Sequence, residues 1–166
     1  VSGVTGLTQG QLADLRSLGE KNRVVWSANY SLGVAALRRA TAMVAEALAG
    51  WDVEIVETHH NRKVDAPSGT AKALLAAVDP GGERSVVDGR SGIVGERPAG
   101  EIGMHALRGG TVAGTHEVHF FGTDEEVCLT HRAASRQIFV TGAVSCAERL
   151  LARPAGFYGF DELMFG

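Results

Sequence analysis

The amino-acid sequence predicts an α/β chain that contains two different sheets, a parallel one and a mixed or antiparallel one. Segments typical of strands and helices alternate up to residue 58, which is the pattern of parallel βαβ connections. After residue 102, three strand-like segments follow one another with short turns between them, as in a meander. A last helix is predicted from Ser135 to about Ala152, before Pro154.

The first predicted helix covers residues 7–18, with Thr8 as its N-cap and Gln11 completing a capping box. Residues 22–28 are mainly apolar and include two valines, which predicts a buried strand. Ser31 caps a second helix, and residues 52–58 then alternate between apolar and polar side chains. We therefore expect this last strand to continue the parallel sheet.

The second sheet is predicted from the change in periodicity after a glycine-rich, irregular stretch at residues 86–103. Residues 102–108 form its first strand, and Gly109 and Gly110 are expected to make a two-residue hairpin turn. A long strand over residues 111–121 follows. A third strand over residues 126–133 completes the predicted meander.

Composition narrows the possible functions only slightly. The 166 residues are 45% hydrophobic and 21% charged, which is enough for one or two compact units. The formal net charge of -3 gives no support for binding to nucleic acid or to an anionic membrane. No apolar run approaches the ~20 residues of a membrane span, so we expect a cytoplasmic protein. Cys128 and Cys146 are isolated, which favours reduced thiols over a disulfide.

The most distinctive stretch is ETHHNRKVDAPSGTA, which connects the strand at residues 52–58 to a helix. It places His59 and His60 at the exit of the strand. Pro67 fixes φ, so the helix is expected to begin near it, with Asp65 or Ser68 as its cap.

The first turn of that helix is a candidate binding site for a carboxylate or phosphate, because backbone N–H groups there have no intrahelical acceptor. Ser68 and Thr70 add hydroxyl donors, and Gly69 allows close approach. With Lys63 and two histidines nearby, the pattern indicates general acid chemistry on an anionic substrate. The same residues are equally compatible with a solvated loop before an ordinary helix start.

The pattern HHxxKxDAPSGTA resembles the signature of the dihydrodipicolinate reductase family. The resemblance extends over essentially the whole chain, through ANYS, HALRGG, HEVHFFG, LTHRAASRQIFVTGA and GFYGFDELM. It implies an enzyme that uses NADPH or NADH to reduce 4-hydroxy-tetrahydrodipicolinate to tetrahydrodipicolinate, in the diaminopimelate route to lysine. It also implies a small dicarboxylate substrate and a homotetramer assembled through the second sheet.

The resemblance assigns roles to individual residues. His59 matches the family's proton donor or acceptor, and Lys63 matches its proton donor. His60, Gly69 and Thr70 match substrate-binding positions. The matching cofactor-binding positions are Gly3, Val4, Thr5, Ser27, Ala28, Asn29 and Tyr30.

The family's glycine-rich GxxGxxG segment has no counterpart in this sequence, so the chain resembles the family with its N-terminal part removed. The resemblance predicts the C-terminal part of a Rossmann-like parallel sheet, plus a sheet domain for substrate binding and tetramerisation. Residues 1–30 would be the remnant of the dinucleotide-binding domain, residues 31–133 the second domain, and residues 134–166 a helix and tail returning to the first. The alternative is a non-catalytic module that binds a dicarboxylate and oligomerises.

The second sheet also carries four histidines: His105, His116, His119 and His131. Side chains alternate faces along a strand, so His116 and His119 are expected on opposite sides. A turn over residues 122–125 would pair Phe121 with Glu126 and so place His116 opposite His131. It also pairs His119 with Cys128. Each face then offers two ligands, whereas a closed zinc site needs four, so no metal site is predicted.

Overall fold

Two separate hydrophobic cores divide the chain into two units in the computed structural model, which describes residues 1–166. The first unit comprises residues 1–35 and 136–166, and the second comprises residues 36–135. The elements follow one another as α1 (Gln9–Gly19), β1 (Arg23–Trp26), α2 (Leu32–Ala47), β2 (Asp52–His59), α3 (Gly69–Val78), β3 (Val86–Val87), β4 (Ile102–Arg108), β5 (Thr115–Phe121), β6 (Glu126–Arg132), α4 (Gln137–Leu151), β7 (Gly156–Gly159) and α5 (Phe160–Phe165). None of these helices combines the length and apolarity needed to cross a bilayer.

The domain boundaries predicted after residues 30 and 133 lie a few residues from those of the two units. The first boundary lies after residue 35 rather than after residue 30, because α2 begins in one unit and continues into the other. A helix that crosses a boundary carries no break in its sequence pattern, so the sequence offered no signal for the division at that point.

The first unit is built on a two-stranded parallel sheet of β1 and β7. Ser2 extends it through an isolated parallel bridge to Trp26. The capping box of Thr8 and Gln11 at the start of α1 is confirmed. A Cβ at position 142 would lie 1.7 Å from the carbonyl oxygen of Tyr30, so only glycine allows α4 to pack there.

The second unit is a five-stranded sheet in the order β3-β4-β2-β5-β6. The prediction that residues 52–58 continue the parallel sheet of the first unit is therefore wrong, because β2 is the central strand of the second sheet. It pairs in parallel with β4 and antiparallel with β5. Alternating helices and strands indicate how segments are connected, but they do not specify which sheet each strand joins.

The predicted hairpin at Gly109 and Gly110 is also wrong, because β2 lies between β4 and β5. The glycines instead close against the loop that follows β2. The N–H of Gly109 donates to the carbonyl of His59 over 2.9 Å, and the N–H of Asn61 donates to the carbonyl of Gly110 over 3.2 Å. Residues 111–114 connect across β2, so β5 begins at Thr115 rather than at residue 111.

The register of β5 and β6 is confirmed, with His116 opposite His131 and His119 opposite Cys128. The inward faces of β2, β4 and β5 form the main core with α3. Its fully buried members include Ile55, Leu74, Ile102, Val118 and Phe120.

Both cysteines are free, as predicted, with Cys146 buried and Cys128 exposed.

Glu54, on β2, binds side chains of the glycine-rich segment at residues 86–103. Its carboxylate accepts two hydrogen bonds from Arg90, at 2.9 and 3.1 Å, and one from Arg97 at 3.2 Å. His105 Nε2 lies 2.6 Å from the same carboxylate, and Glu101 pairs with Arg90 as well. Burial opposes ionisation of Glu54, but these hydrogen bonds outweigh it and lower the pKa to about 2.

The depressed pKa of Glu54 predicts acid-sensitive stability. Because the folded-state value of about 2 lies below the usual 4.5, the stabilisation is present above pH 4.5 and is lost as the pH falls towards 2. We expect Glu54→Gln to lower the free energy of unfolding by about 1–3 kcal/mol at neutral pH. Urea unfolding from pH 7 to pH 3 should show this gap narrowing. Glu46→Gln, on the exposed surface of α2, is the control, and a gap independent of pH would contradict the assignment.

Candidate active site

The distinctive stretch forms the exit of β2 and the entry of α3, as predicted. Ser68, not Asp65, is the N-cap of α3, and its hydroxyl accepts from the N–H of Ala71 over 3.2 Å. Apart from the chain neighbours of Gly69 and the backbone of its own helix, no heavy atom lies within 4 Å of the position where a Cβ on Gly69 would sit. The space beside Gly69, in the first turn of α3, is therefore open to a ligand.

Glu57 is the buried centre of this region, with a side chain that is 0% exposed. Both of its oxygens accept hydrogen bonds from the guanidinium of Arg108, at 2.7 and 2.9 Å. The Nδ1 atom of His59 lies 2.5 Å from one oxygen, and the N–H of Ser68 donates to the other over 3.0 Å. Burial raises the pKa of Glu57, but the bonds from Arg108, His59 and Ser68 outweigh it and hold the pKa below its usual value.

Sequence reasoning missed both Glu57 and Arg108. The available signal was the alternation of β2, because Val53, Ile55 and Glu57 occupy its buried positions. A carboxylate is rarely fully buried unless it is paired, so a glutamate at a core position of a strand implies a cationic partner. The sequence alone did not identify that partner, because Arg108 lies on β4, about fifty residues away along the chain.

His116 is a second residue that the structure adds to the site. Its Nε2 atom lies 3.1 Å from the hydroxyl of Ser68, and its ring meets that of His59 edge-on, with centroids 5.1 Å apart. Burial is the main cause that lowers the pKa of His116 to about 4, so it is neutral at physiological pH. The sequence had placed His116 only in the second sheet, with no role in the site. His131, opposite it on β6, is also partly buried, and burial lowers its pKa.

Hydrogen bonds connect the two predicted catalytic residues, His59 and Lys63, through Glu57, Arg108 and two separate acceptor groups of Asp65. Lys63 Nζ donates to the carboxylate of Asp65 over 2.7 Å, which lowers the pKa of Asp65. The backbone carbonyl of Asp65 accepts from Arg108 over 2.7 Å. Arg108 binds Glu57, and Glu57 binds His59. Lys63 lies on a loop as expected, but its side chain is only 19% exposed.

His60 occupies the turn after β2, where its carbonyl accepts from the N–H of Lys63 over 3.1 Å. Its Nδ1 atom is buried without a hydrogen-bond partner. A buried donor or acceptor without a partner costs free energy, so this atom is a candidate contact for a ligand.

In the first unit, the predicted cofactor residues lie together at the carboxyl end of β1. The N–H of Ser27 donates to Ser2 O over 3.2 Å, and the indole of Trp26 donates to Val4 O over 2.9 Å. Residues 3–5 and Ala28 are exposed there. Tyr30 is buried, and its hydroxyl donates to Ser2 O over 2.7 Å. Open parallel sheets bind dinucleotides at this edge, so the exposed backbone here is the candidate position for one.

On the outer face of β5 and β6, the structure adds a third side chain that could ligate a metal, which the sequence analysis did not include. Glu126 lies beside the predicted pair of His119 and Cys128. His119 turns Nδ1 to Glu126, at 2.5 Å, and Nε2 towards Cys128 Sγ, at 3.8 Å. One ligand atom from each of the three residues lies within 4.8 Å of the other two. Two of the three residues are exposed, and exposed acidic groups commonly cluster without a metal ion.

A cavity of about 400 Å³ lies beside β4, lined partly by Pro67, Asp88, Met104 and Leu107. None of the predicted catalytic or substrate-binding residues lines it. Ala66 and Pro67, which belong to the distinctive stretch, do line it, so the cavity adjoins the entry of α3.

Comparisons with known proteins identify the family of the chain. Residues 33–164 match the family model described as dihydrodipicolinate reductase, C-terminus. The 4-hydroxy-tetrahydrodipicolinate reductase of Akkermansia muciniphila is 44% identical over 99% of this chain and 69% of that protein. The enzyme of the same name from Staphylococcus aureus strain Newman is 44% identical over 98% of the chain and 68% of that protein. The chain thus spans about two thirds of the length of these relatives.

A solved structure has the same fold. It is described as dipicolinate-bound dihydrodipicolinate reductase from Paenisporosarcina sp. TG-14, and it superposes with a TM-score of 0.75 at 24% identity. The match covers 98% of this chain and 63% of that one, which supports the predicted combination of a parallel and a mixed sheet.

These matches confirm the family predicted from the HHxxKxDAPSGTA pattern. They also support an oxidoreductase that uses a nicotinamide cofactor, without distinguishing NADH from NADPH, and they do not favour the non-catalytic alternative. The chain belongs to the dihydrodipicolinate reductase family.

Proposed function

We propose that this chain binds 4-hydroxy-tetrahydrodipicolinate and supplies the proton-transfer groups for its reduction to tetrahydrodipicolinate by NADPH or NADH. The observation that carries the proposal is the hydrogen-bonded series from Lys63 to His59 beside the open first turn of α3. Additional support comes from the 44% identity to reductases of that name.

The substrate would bind with one carboxylate at the N-terminus of α3. This end of a helix carries a partial positive charge, and Gly69 leaves it accessible. Lys63 supplies a full positive charge on the loop that leads to it. His60 and Thr70 complete the proposed binding set. The solved relative was described with dipicolinate bound, and dipicolinate is a dicarboxylate of the same class.

Lys63 and His59 would handle the protons of the reaction. The ammonium of Lys63 is held by Asp65, and a substrate carboxylate can compete for it because Asp65 is itself half exposed. His59 offers an imidazole, the side chain that most often acts as a general acid or base. When bound, the nicotinamide supplies the hydride. The chain's own contribution is to bind, orient and protonate the substrate.

The cofactor would be held by the positions at the carboxyl end of β1. The exposed backbone of Gly3, Val4 and Thr5 and the neighbouring residues Ser27, Ala28 and Asn29 form that edge. Tyr30 would not contact the cofactor directly, since it is buried and its hydroxyl donates to the carbonyl of Ser2. The proposal therefore assigns Tyr30 a supporting role and assigns direct contact to the exposed residues.

We also propose a homotetramer in the cytoplasm, as the family resemblance implies. The outer face of β5 and β6 supports the assembly, because Phe121 is 39% exposed there and stacks on His119 with centroids 5.7 Å apart. An exposed aromatic pair on a flat sheet face is well suited to packing against a second copy.

Titration calorimetry on the 166-residue chain tests the proposed function. We expect dipicolinate to bind with a micromolar dissociation constant, and NADPH or NADH to bind more tightly in its presence than in its absence. Binding of dipicolinate without either dinucleotide would favour the dicarboxylate-binding module. Failure to bind dipicolinate at millimolar concentration would contradict the substrate assignment.

Lys63→Ala separates catalysis from folding. In the reductase that carries this sequence, we expect kcat to fall by about 10²–10⁴-fold, the usual contribution of a general acid. The melting temperature should change little, because a partly exposed ion pair contributes only about 0–1 kcal/mol. Lys72→Ala, at an exposed position of α3, is the matched control and should retain full turnover. Normal kcat in Lys63→Ala would remove Lys63 from the mechanism.

A further inference from the structure

The proposed function does not yet explain Glu57, the most completely buried carboxylate of the second unit. We propose that Glu57 is a positioning residue that holds His59 in the tautomer protonated on Nδ1, so that Nε2 is the nitrogen available to the substrate. This inference rests on the proposed function, and it assigns a role to a residue that touches neither substrate nor cofactor.

The tautomer follows from the hydrogen-bonding partners of the carboxylate. Arg108 donates to both oxygens of Glu57, which is the bidentate arrangement that an ionised carboxylate accepts. An ionised carboxylate can only accept hydrogen bonds. The His59 Nδ1 atom, 2.5 Å away, must therefore carry the hydrogen. In the neutral ring, Nε2 is then left with the lone pair.

The opposite side of the ring is kept accessible by a glycine. A Cβ at position 114 would lie 3.1 Å from His59 Nε2, so any other residue there would crowd this nitrogen. The ring is also supported from the side by His116, whose low pKa keeps it uncharged. The fixed Nδ1 contact and the space at Nε2 together define which nitrogen can exchange a proton.

The same carboxylate also holds the start of α3. Glu57 accepts from the N–H of Ser68, the N-cap residue, over 3.0 Å. One side chain therefore fixes both the imidazole and the beginning of the helix where the substrate carboxylate is proposed to bind. The distance between these two groups is then set by the rigid strand β2 rather than by the loop.

Glu54 provides a natural control on the same strand. It lies three positions earlier, on the opposite face of β2, and it too binds a histidine and arginine side chains. Its histidine is His105, which has no proposed role in the reaction. Removing the charge at Glu54 should alter stability without affecting the imidazole of His59.

The test is nitrogen NMR of the 166-residue chain labelled with ¹⁵N-histidine, at ~pH 8.5, where an ordinary imidazole is neutral. We expect His59 to be protonated on Nδ1 in the wild type and in Glu54→Gln. In Glu57→Gln, whose amide can donate as well as accept, the Nε2-protonated form should appear. Assignment of the His59 signals uses their loss in His59→Gln.

Kinetics of the reductase that carries this sequence complete the test. In Glu57→Gln, kcat should fall by about 10–100-fold, the range found when the partner that orients a metal-bound histidine is removed. The dissociation constant of dipicolinate should stay within about threefold, since a glutamine oxygen can still accept from Ser68. A purely structural role would not move the tautomer.

Two results would overturn the inference. One is a wild-type His59 protonated on Nε2, which remains decisive even if Glu57→Gln does not fold. The other is a folded Glu57→Gln whose His59 tautomer is unchanged. Both leave the proposed function intact, which fails separately if the wild-type chain does not bind dipicolinate.

Discussion

The pairing of the buried Glu57 carboxylate with Arg108 is the constraint on which the proposed active site depends. A charge that is fully excluded from water is tolerated only when its hydrogen-bonding capacity is filled, and removing one partner typically costs about 3–5 kcal/mol. Here Arg108 from β4 supplies two bonds, Ser68 supplies one from the start of α3, and His59 supplies another from the end of β2. Because the contacts come from three elements, satisfying this one charge brings those elements together. The position of His59 is thus a consequence of the folding of the second unit.

This arrangement also favours the end of β2 over the cavity beside β4 as the position of the proposed site. The first turn of α3 has a favourable dipole and, at Gly69, an open approach, while Lys63 provides a positive charge on the preceding loop. An anionic substrate would therefore meet two attractive features within one short stretch of sequence. His116 is kept neutral by its burial, so it can support the His59 ring without adding a charge that would compete for the substrate.

The parts of the fold that were predictable from sequence are those governed by local physics. The capping box at Thr8, the Ser68 cap and the register of His119 with Cys128 all follow from side chains close together in the chain. The hairpin at Gly109 and the sheet assigned to β2 were wrong, because glycine turns and alternation carry no information about a strand contributed from elsewhere in the chain. The motif residues of the site were predicted from the family pattern. Glu57 was missed since its role depends on Arg108, a partner that only the parallel pairing of β2 and β4 brings into reach.

A crystal structure of the chain with dipicolinate tests the central claim most directly, namely that one buried carboxylate fixes both the imidazole and the substrate-binding end of α3. The account predicts one dipicolinate carboxylate at the first turn of α3, within hydrogen-bond distance of the Gly69 N–H and Lys63 Nζ. It also predicts that the contacts of Glu57 with His59, Arg108 and Ser68 remain unchanged. Dipicolinate bound in the cavity beside Met104 and Leu107, with Lys63 still on Asp65, would contradict the account.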